Sequence, residues 1–180
     1  MSAGPVRLRR VRTAEWARLR ELRLRALRTD PLAFGSTLRA ELELPEPQWR
    51  DRARSGATAP ETATWVAEQG GDLVGLATLA RTPNGPQLFG MWVDPVARGR
   101  GVGGKLLDSL LEWARKTWGP GPIRLEVNPD QGSAVRLYRS RGFQFVSGER
   151  GLAHAPGALV RPMVLATNVG SSAREPVTEG

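Results

Sequence analysis

The sequence predicts one α/β domain built on a mixed, largely antiparallel sheet. Three extended runs follow each other at 62–69, 73–81 and 87–94, with strong turn signals between them, and a glycine-rich stretch then leads into an apolar-striped helix. Strand and helix patterns continue to alternate after that helix. With 180 residues and 40% hydrophobic content, the chain is long enough for one such core. We assign residues 1–167 to the domain and predict a disordered polar tail over 168–180.

The N-terminal region is predicted to hold a strand and an amphipathic helix. The strand covers 6–11, and Thr13 is the expected N-cap of a helix that carries apolar residues at helical spacing. The pattern weakens over 32–55, where a second helix is interrupted by Pro45 and Pro47. We interpret 32–55 as a mobile connection.

The central and C-terminal elements have clearer patterns. Gly90 lies inside the third extended run, which predicts a β-bulge there. Leucines between 106 and 111 fall at helical spacing, and GPGP at 119–122 ends that helix. From Ile123 to Val127 apolar residues alternate with polar ones, so the strand buries one face and turns Glu126 to the other. The last predicted elements are a helix over 133–141 and strands over 143–146 and 159–166.

Composition excludes several functional classes. The chain has no cysteine and one histidine, so we expect no disulfide, no thiol nucleophile and no metal site. It has neither a signal-peptide pattern nor an apolar run of membrane-spanning length, so we expect a cytoplasmic protein with no membrane partner. The net charge of +8 favours anionic ligands. Only Trp16 lies among the arginines of the first helix, which argues against nucleic acid as the main partner.

The glycine-rich stretch RGRGVGG fits two phosphate-binding patterns. It comprises Arg98, Gly99, Arg100, Gly101, Val102, Gly103 and Gly104. One pattern is the dinucleotide fingerprint G-x-G-x-x-G, formed by Gly99, Gly101 and Gly104 with Glu126 as the ribose-binding acid. That pattern needs a strand running directly into its first glycine, whereas residues 95–98 intervene here. An NAD(P)-type site is therefore the alternative and not the preferred interpretation.

The second pattern is R-x-x-G-x-G, formed by Arg98, Gly101 and Gly103 at the start of a helix. Glycines allow the backbone to approach a pyrophosphate, and the free N–H groups of a helix N-terminus point towards it. Arg98 and Arg100 add charge-assisted contacts. This pattern agrees with the predicted element order, so we prefer it.

The combination of VDPVARGRGVGGKLL with VNPDQGSAVRLYRSRGF resembles the two central motifs of the GNAT family of N-acetyltransferases, over about 87–146. The resemblance implies a mixed, mostly antiparallel sheet flanked by helices, with strands that splay at the acyl-CoA site. It also implies direct transfer of acetyl from acetyl-CoA to a primary amine of a small molecule or protein. A homodimer is left open.

The resemblance assigns cofactor contacts outside the glycine-rich stretch as well. The backbone of Met91, Trp92 and Val93 would bind the pantetheine arm, although core packing explains these side chains equally well. The N–H of Val93 would stabilise the oxyanion. Many relatives carry an asparagine seven residues before the motif tyrosine, and this chain has Gln131 there, whose longer side chain would displace that contact.

Two catalytic roles follow from the same resemblance. Tyr138, the only tyrosine of the chain, matches the general acid that protonates the departing thiolate. Glu126 matches the strand position at which some members carry the general base, while others use ordered water. The alternatives are a tyrosine that packs on the sheet and a glutamate paired with Arg124. A module that binds acyl-CoA without turnover would not need Tyr138, so its presence favours an enzyme.

The acceptor amine is expected beneath the N-terminal helices and the segment 147–158. Residues 30–46 are acidic within a basic protein, which suggests that they attract a cationic amine; a solvated helix face is the alternative. The acidic side chains concerned are Asp30, Glu41, Glu43 and Glu46.

Overall fold

The computed structural model describes residues 4–166, and the predicted tail lies outside them. Its strands are Arg7–Arg10 (β1), Thr62–Gln69 (β2), Asp72–Thr82 (β3), Gly85–Val93 (β4), Ile123–Val127 (β5), Phe143–Phe145 (β6), Arg150–Leu152 (β7) and Ala155–Leu165 (β8). Its helices are Trp16–Thr29 (α1), Leu38–Leu42 (α2), Glu46–Thr58 (α3), Val102–Trp118 (α4) and Gly132–Arg139 (α5).

The strands form a mixed sheet in the order β1-β2-β3-β4-β5-β8-β6, with β7 paired to β8 alone. Only β4 and β5 run parallel; the other described pairs are antiparallel. The predicted fold class is therefore confirmed. The short strand β7 was not predicted, and β8 begins at Ala155, four residues before the predicted start.

Helices cover both faces of the sheet, and the sheet separates the core into two layers. On one face α4 packs on the sheet through buried leucines such as Leu106 and Leu110, and α5 packs there through Val135 and Tyr138. On the other face α1 buries Leu19 and Leu22 against β2 and β3, and α3 packs beside it. Consecutive side chains of one strand point to opposite faces, so neighbouring residues of a strand enter different layers.

The interpretation of 32–55 as a mobile connection is wrong, because this segment forms two helices. Pro45 precedes the first turn of α3 and Pro47 lies within that turn. The first N–H groups of a helix have no carbonyl acceptor within the helix, so a proline at these positions loses no hydrogen bond. The two prolines therefore begin the helix instead of interrupting it. Trp49 follows with 1% of its surface exposed and, with Ala53, anchors α3 to the rest of the domain.

The expected N-cap at Thr13 is also wrong. Residues 13–15 form a short 3-10 turn, and the α-helix begins at Trp16. Glu15 is buried there and accepts the backbone N–H of Arg12 at 2.9 Å, while Arg9 pairs with its carboxylate at 2.6 Å. A carboxylate three residues downstream thus performs the capping that a hydroxyl was expected to perform.

Two kinds of feature are absent from residues 4–166. No helix there has the length and apolar character needed to cross a membrane. The same residues contain no group of three or more His, Cys, Asp or Glu side chains arranged to hold a metal ion.

Candidate active site

A gap in the sheet between β4 and β5 forms the centre of the candidate site. The two strands pair only through Gln87 with Arg124 and Leu88 with Leu125, and they diverge beyond these pairs. Gly90 has a φ of +66°, and the pairing of β3 with β4 shifts register beside it, which confirms the predicted bulge. One edge of β4 therefore loses its partner strand.

The backbone of β4 beyond the bulge faces this gap. The N–H of Asp94 donates to the carbonyl of Val74 on β3 at 2.8 Å. Backbone groups of successive strand residues point to opposite sides, so the N–H and carbonyl of Val93 point away from β3, towards the gap. The unpaired edge of β4 thus offers backbone hydrogen bonds to an extended ligand.

The side chains of this part of β4 divide between the two faces of the sheet. Met91 and Val93 lie on the α4 side, within 3.5 and 3.8 Å of the position that a Cβ at Gly103 would occupy. Trp92 lies on the α1 side, is 4% exposed and donates its indole N–H to Asp30 at 2.6 Å. Met91 and Val93 therefore direct backbone groups towards the gap, whereas the backbone groups of Trp92 point towards β3. All three side chains pack in or against the core.

The glycine-rich stretch forms the N-terminal end of α4. Gly99 and Gly101 have φ values of +74° and +73°, a conformation that favours glycine, and Gly101 directly precedes the helix. The first N–H groups of α4 have no intrahelical acceptor. With 17 residues behind them, they form a site suited to an anion such as a pyrophosphate.

The two arginines of the stretch lie in different environments. Arg98 donates through Nε to the carbonyl of Val93 at 2.8 Å, and it pairs with Asp30. Arg100 is exposed, and among residues 4–166 it has no ion-pair partner within 4 Å. Arg98 therefore links the glycine-rich stretch to the end of α1 and would have to leave these partners to contact a phosphate, whereas Arg100 is available without rearrangement.

Tyr138 lies on the α4 side of the sheet, on the buried face of α5. Its ring centroid is 5.9 Å from that of Phe143, and 8% of the residue is exposed. Within residues 4–166 the phenol has no hydrogen-bond partner. Burial raises the pKa of Tyr138 to about 12, because the phenolate would lose its hydration. The phenol therefore stays protonated at neutral pH, as a general acid must.

Titration of the tyrosine absorbance is expected to show a midpoint near pH 12, above the ordinary value of about 10. The signal needs no assignment, since Tyr138 is the only tyrosine. The folded state holds this proton more tightly than the unfolded state, so the free energy of unfolding should fall as pH rises from about 10 through 12. A midpoint at the ordinary value, measured while circular dichroism still shows the fold, would contradict the buried environment.

Glu126 lies on β5 and faces the opposite side of the sheet from Tyr138. As predicted, its side chain points away from the buried Leu125 and Val127. Its two oxygens accept from one guanidinium, that of Arg150 on β7, with Nε at 2.9 Å and Nη2 also in contact. The expected alternative partner was Arg124; the structure pairs Glu126 with Arg150 instead.

Glu126 and Arg150 line a cavity of about 520 Å³ between the sheet, the N-terminal helices and β7. Both apolar and charged side chains line its wall. The apolar residues include Phe34, Trp49, Leu76, Leu88, Leu152 and Val160. The other charged residues are Arg23, Glu41, Asp51 and Arg52. The size and lining suit a small organic group.

Two of the acidic residues of 30–46, Glu41 and Asp30, are paired within the protein and do not present the free negative charge that was expected to attract an amine. Burial opposes the charge of Glu41, but Arg23 and Arg52, at 2.9 and 3.0 Å, hold its pKa below the ordinary value. Both Glu41 oxygens are thus used, and the residue is 3% exposed. Asp30 binds Trp92 and Arg98. Glu41 thus stabilises the wall of the cavity, and Asp30 links the end of α1 to β4 and the glycine-rich stretch. Neither carboxylate offers a free negative charge to an amine.

Comparison with known proteins shows the family of the chain. A sequence profile of the acetyltransferase (GNAT) family matches residues 16–143. The chain belongs to the GNAT family. The N-alpha-acetyltransferase RimI of Mycobacterium tuberculosis is 35% identical over 145 residues, which are 72% of this chain and 89% of RimI. Together these matches identify the chain as a GNAT N-acetyltransferase.

Solved structures agree on the fold. A GNAT acetyltransferase from Streptococcus pneumoniae superposes with a TM-score of 0.75 at 22% identity, covering 89% of this chain and 98% of that one. The yncA protein of Salmonella typhimurium, solved with its cofactor acetyl-CoA, superposes with a TM-score of 0.74 at 17% identity, covering 97% and 100%. The alternative of an NAD(P)-type site has no support from these GNAT relatives.

Some residues of this GNAT site were not found from the sequence. Gln131 lies just before α5, as predicted, but Asn128 at the end of β5 is the buried amide beside it, 6% exposed and lining the cavity. Arg23 and Arg150 were missed because no motif spacing marks them. For Arg150 the only available signal was its place in the segment expected to cover the acceptor.

Proposed function

We propose that this GNAT enzyme transfers acetyl from acetyl-CoA directly to a primary amine in the cavity beside Glu126. The observation that carries the proposal is the position of Tyr138 and Glu126 on opposite faces of the sheet, with Glu126 on β5, the strand that borders the gap. A thioester lying along the gap would have its sulfur on the side of Tyr138, while an amine would reach the carbonyl carbon from the side of Glu126.

The α4 side would hold acetyl-CoA. The amides of residues 101–104 would bind the pyrophosphate, with Arg100 adding charge. The backbone of Met91 and Val93 on the edge of β4 would pair with the pantetheine arm, with the Val93 carbonyl shared between the arm and Arg98, which donates to it. Arg98 would hold the glycine-rich stretch against Asp30, and Gln131 would contact the arm from the start of α5.

The chemistry needs one proton to leave the amine and one to reach the sulfur. Glu126 would accept the amine proton as the nitrogen attacks the thioester carbonyl. The N–H of Val93 would stabilise the oxyanion that forms. As the carbon–sulfur bond breaks, Tyr138 would protonate the thiolate. A protonated phenol near a thiol whose ordinary pKa is about 8.5 is available for this step at neutral pH.

The role of Glu126 as base depends on Arg150. Both carboxylate oxygens accept hydrogen bonds from the guanidinium, so an amine that is to hand its proton to Glu126 would take the place of Arg150 on at least one of them. Water in the cavity is the alternative route for the proton. The RimI relative is an N-alpha-acetyltransferase, which makes α-amines the first acceptors to test.

The test combines binding and turnover. Calorimetry should show acetyl-CoA binding at micromolar to millimolar concentration, and a panel of primary amines should release free CoA in the presence of the enzyme. Absence of acetyl-CoA binding at millimolar ligand would refute the proposal. Binding without CoA release for any amine would instead favour a module that senses acetyl-CoA.

A further inference from the structure

The Glu126–Arg150 ion pair differs from the other charged contacts of the cavity. Both of its members reach solvent, with 33% of the Glu126 side chain and 55% of the Arg150 side chain exposed. By contrast Glu41, the acid of the Arg23 and Arg52 pairs, is 3% exposed. The guanidinium of Arg150 also lies 3.9 Å from the position that a Cβ at Gly35 would occupy. Arg150 therefore extends from β7 towards the segment after α1, across one side of the cavity.

The remaining charges of the cavity are committed elsewhere. Glu41 is 3% exposed and bound by two arginines, so a ligand cannot reach it without disrupting the wall. Asp51 lines the cavity but pairs at 2.8 Å with Arg54, which is not a lining residue. Of the lining residues within 4–166, Glu126 and Arg150 form the carboxylate–guanidinium pair that a ligand reaches on both partners.

We infer that the acceptor carries a carbonyl or carboxylate oxygen on the carbon next to its amine-bearing carbon, and that Arg150 binds this oxygen while Glu126 binds the amine. The inference rests on the proposed function. In the structure the two side chains pair with each other. A ligand with a cation and an oxygen acceptor side by side replaces both partners at once, so neither charge is left unpaired.

An alkyl amine would replace only half of this pair. Its ammonium would take Glu126 and leave Arg150 without its carboxylate, so binding would lose a charge-assisted hydrogen bond. An exposed ion pair contributes little net stability, which makes its exchange for an equivalent ligand contact inexpensive. The substrate class is therefore an α-amino acyl group, with Phe34, Leu152 and Val160 beside it to receive an apolar side chain.

The inference is tested with four acceptors that share a small side chain: L-alaninamide, an alanine-initiated tripeptide, free L-alanine and isopropylamine, which lacks the oxygen. Free CoA release gives kcat and KM at saturating acetyl-CoA, and calorimetry on CoA-saturated protein gives the affinity for each amine without turnover. We expect the three α-amino acyl compounds to bind better than isopropylamine. Preference for L-alanine would identify a carboxylate as the oxygen; preference for the amide and tripeptide would identify a carbonyl.

Two arginine variants then assign the contact. Arg150→Met should raise KM and the calorimetric Kd for α-amino acyl compounds about 10- to 100-fold, as expected for one charge-assisted hydrogen bond. Isopropylamine should bind at least as well as it does to the unaltered enzyme, because it no longer has to separate Glu126 from Arg150. The matched control is Arg50→Met, since Arg50 is 57% exposed, pairs with Glu46 and lies outside the cavity lining. It should change neither value.

The outcomes separate this inference from the proposed function. Equal binding of all four compounds, or an Arg150→Met effect of the same size on each, would overturn the inference while leaving acetyl transfer intact. Binding that depends on Arg150 without CoA release would support the inference and refute the proposed transfer. No binding of any compound would overturn the inference.

Discussion

Tyr138→Phe is expected to lower kcat about 10²- to 10⁴-fold, the range for loss of a general acid. Phenylalanine keeps the ring beside Phe143 and removes only the hydroxyl, which has no hydrogen-bond partner among residues 4–166. The change should therefore leave acetyl-CoA affinity and unfolding free energy nearly unaltered. Single-turnover measurement of CoA release isolates the chemical step from product release.

The leaving group provides the control for this variant. An acetyl thioester of a more acidic thiol needs less help from a proton donor, so the variant should lose less activity with it than with acetyl-CoA. A Tyr138→Phe enzyme with an unchanged single-turnover rate would show that the thiolate leaves without the phenol. An equal loss with both thioesters would assign the residue to positioning.

Trp49→Ala is expected to lower the free energy of unfolding by about 3–5 kcal/mol, as for large-to-small changes at buried aromatic positions. Trp49 is 1% exposed, carries the guanidinium of Arg52 over its ring at 4.7 Å and lines the acceptor cavity. Its removal deletes the main anchor of α3. Urea denaturation followed by circular dichroism measures the effect.

Trp49→Phe separates packing from hydrogen bonding at this position. Among residues 4–166 the buried indole N–H has no hydrogen-bond partner, so phenylalanine loses no hydrogen bond there and keeps most of the apolar contact. Its cost should be below about 1.5 kcal/mol. A Trp49→Ala cost of under roughly 1 kcal/mol would mean that α3 contributes little to the folded core.

The parts of the site that the sequence predicted are those governed by local backbone rules. A lone glycine within an apolar run predicted the bulge at Gly90, because few other residues adopt that conformation at low cost. The glycines from 99 to 104 predicted a helix N-terminus for the same reason. Alternation along β5 predicted the direction of Glu126, and these three features define the gap and one of its walls.

The parts that were missed depend on contacts between distant segments. Glu126 and Arg150 are 24 residues apart, and the short strand β7, which carries Arg150, has no apolar pattern that would predict it. Glu41 looked available because its sequence neighbours are acidic, but α1 and α3 bring Arg23 and Arg52 to it. The prolines around Glu46 were misinterpreted because the position of a proline within a helix depends on where the helix starts.

The gap between β4 and β5 has a consequence for the order of events. Because the proposed cosubstrate and acceptor sites lie on opposite faces of the sheet, neither blocks the approach of the other, and both would be bound when acetyl moves. Initial-rate kinetics should therefore show a ternary complex and no ping-pong pattern. A single molecule that joins the CoA sulfur to an α-amine through an acetyl bridge would pass through the gap and fill both sites. It would lose translational freedom once instead of twice, and so bind more tightly than either half.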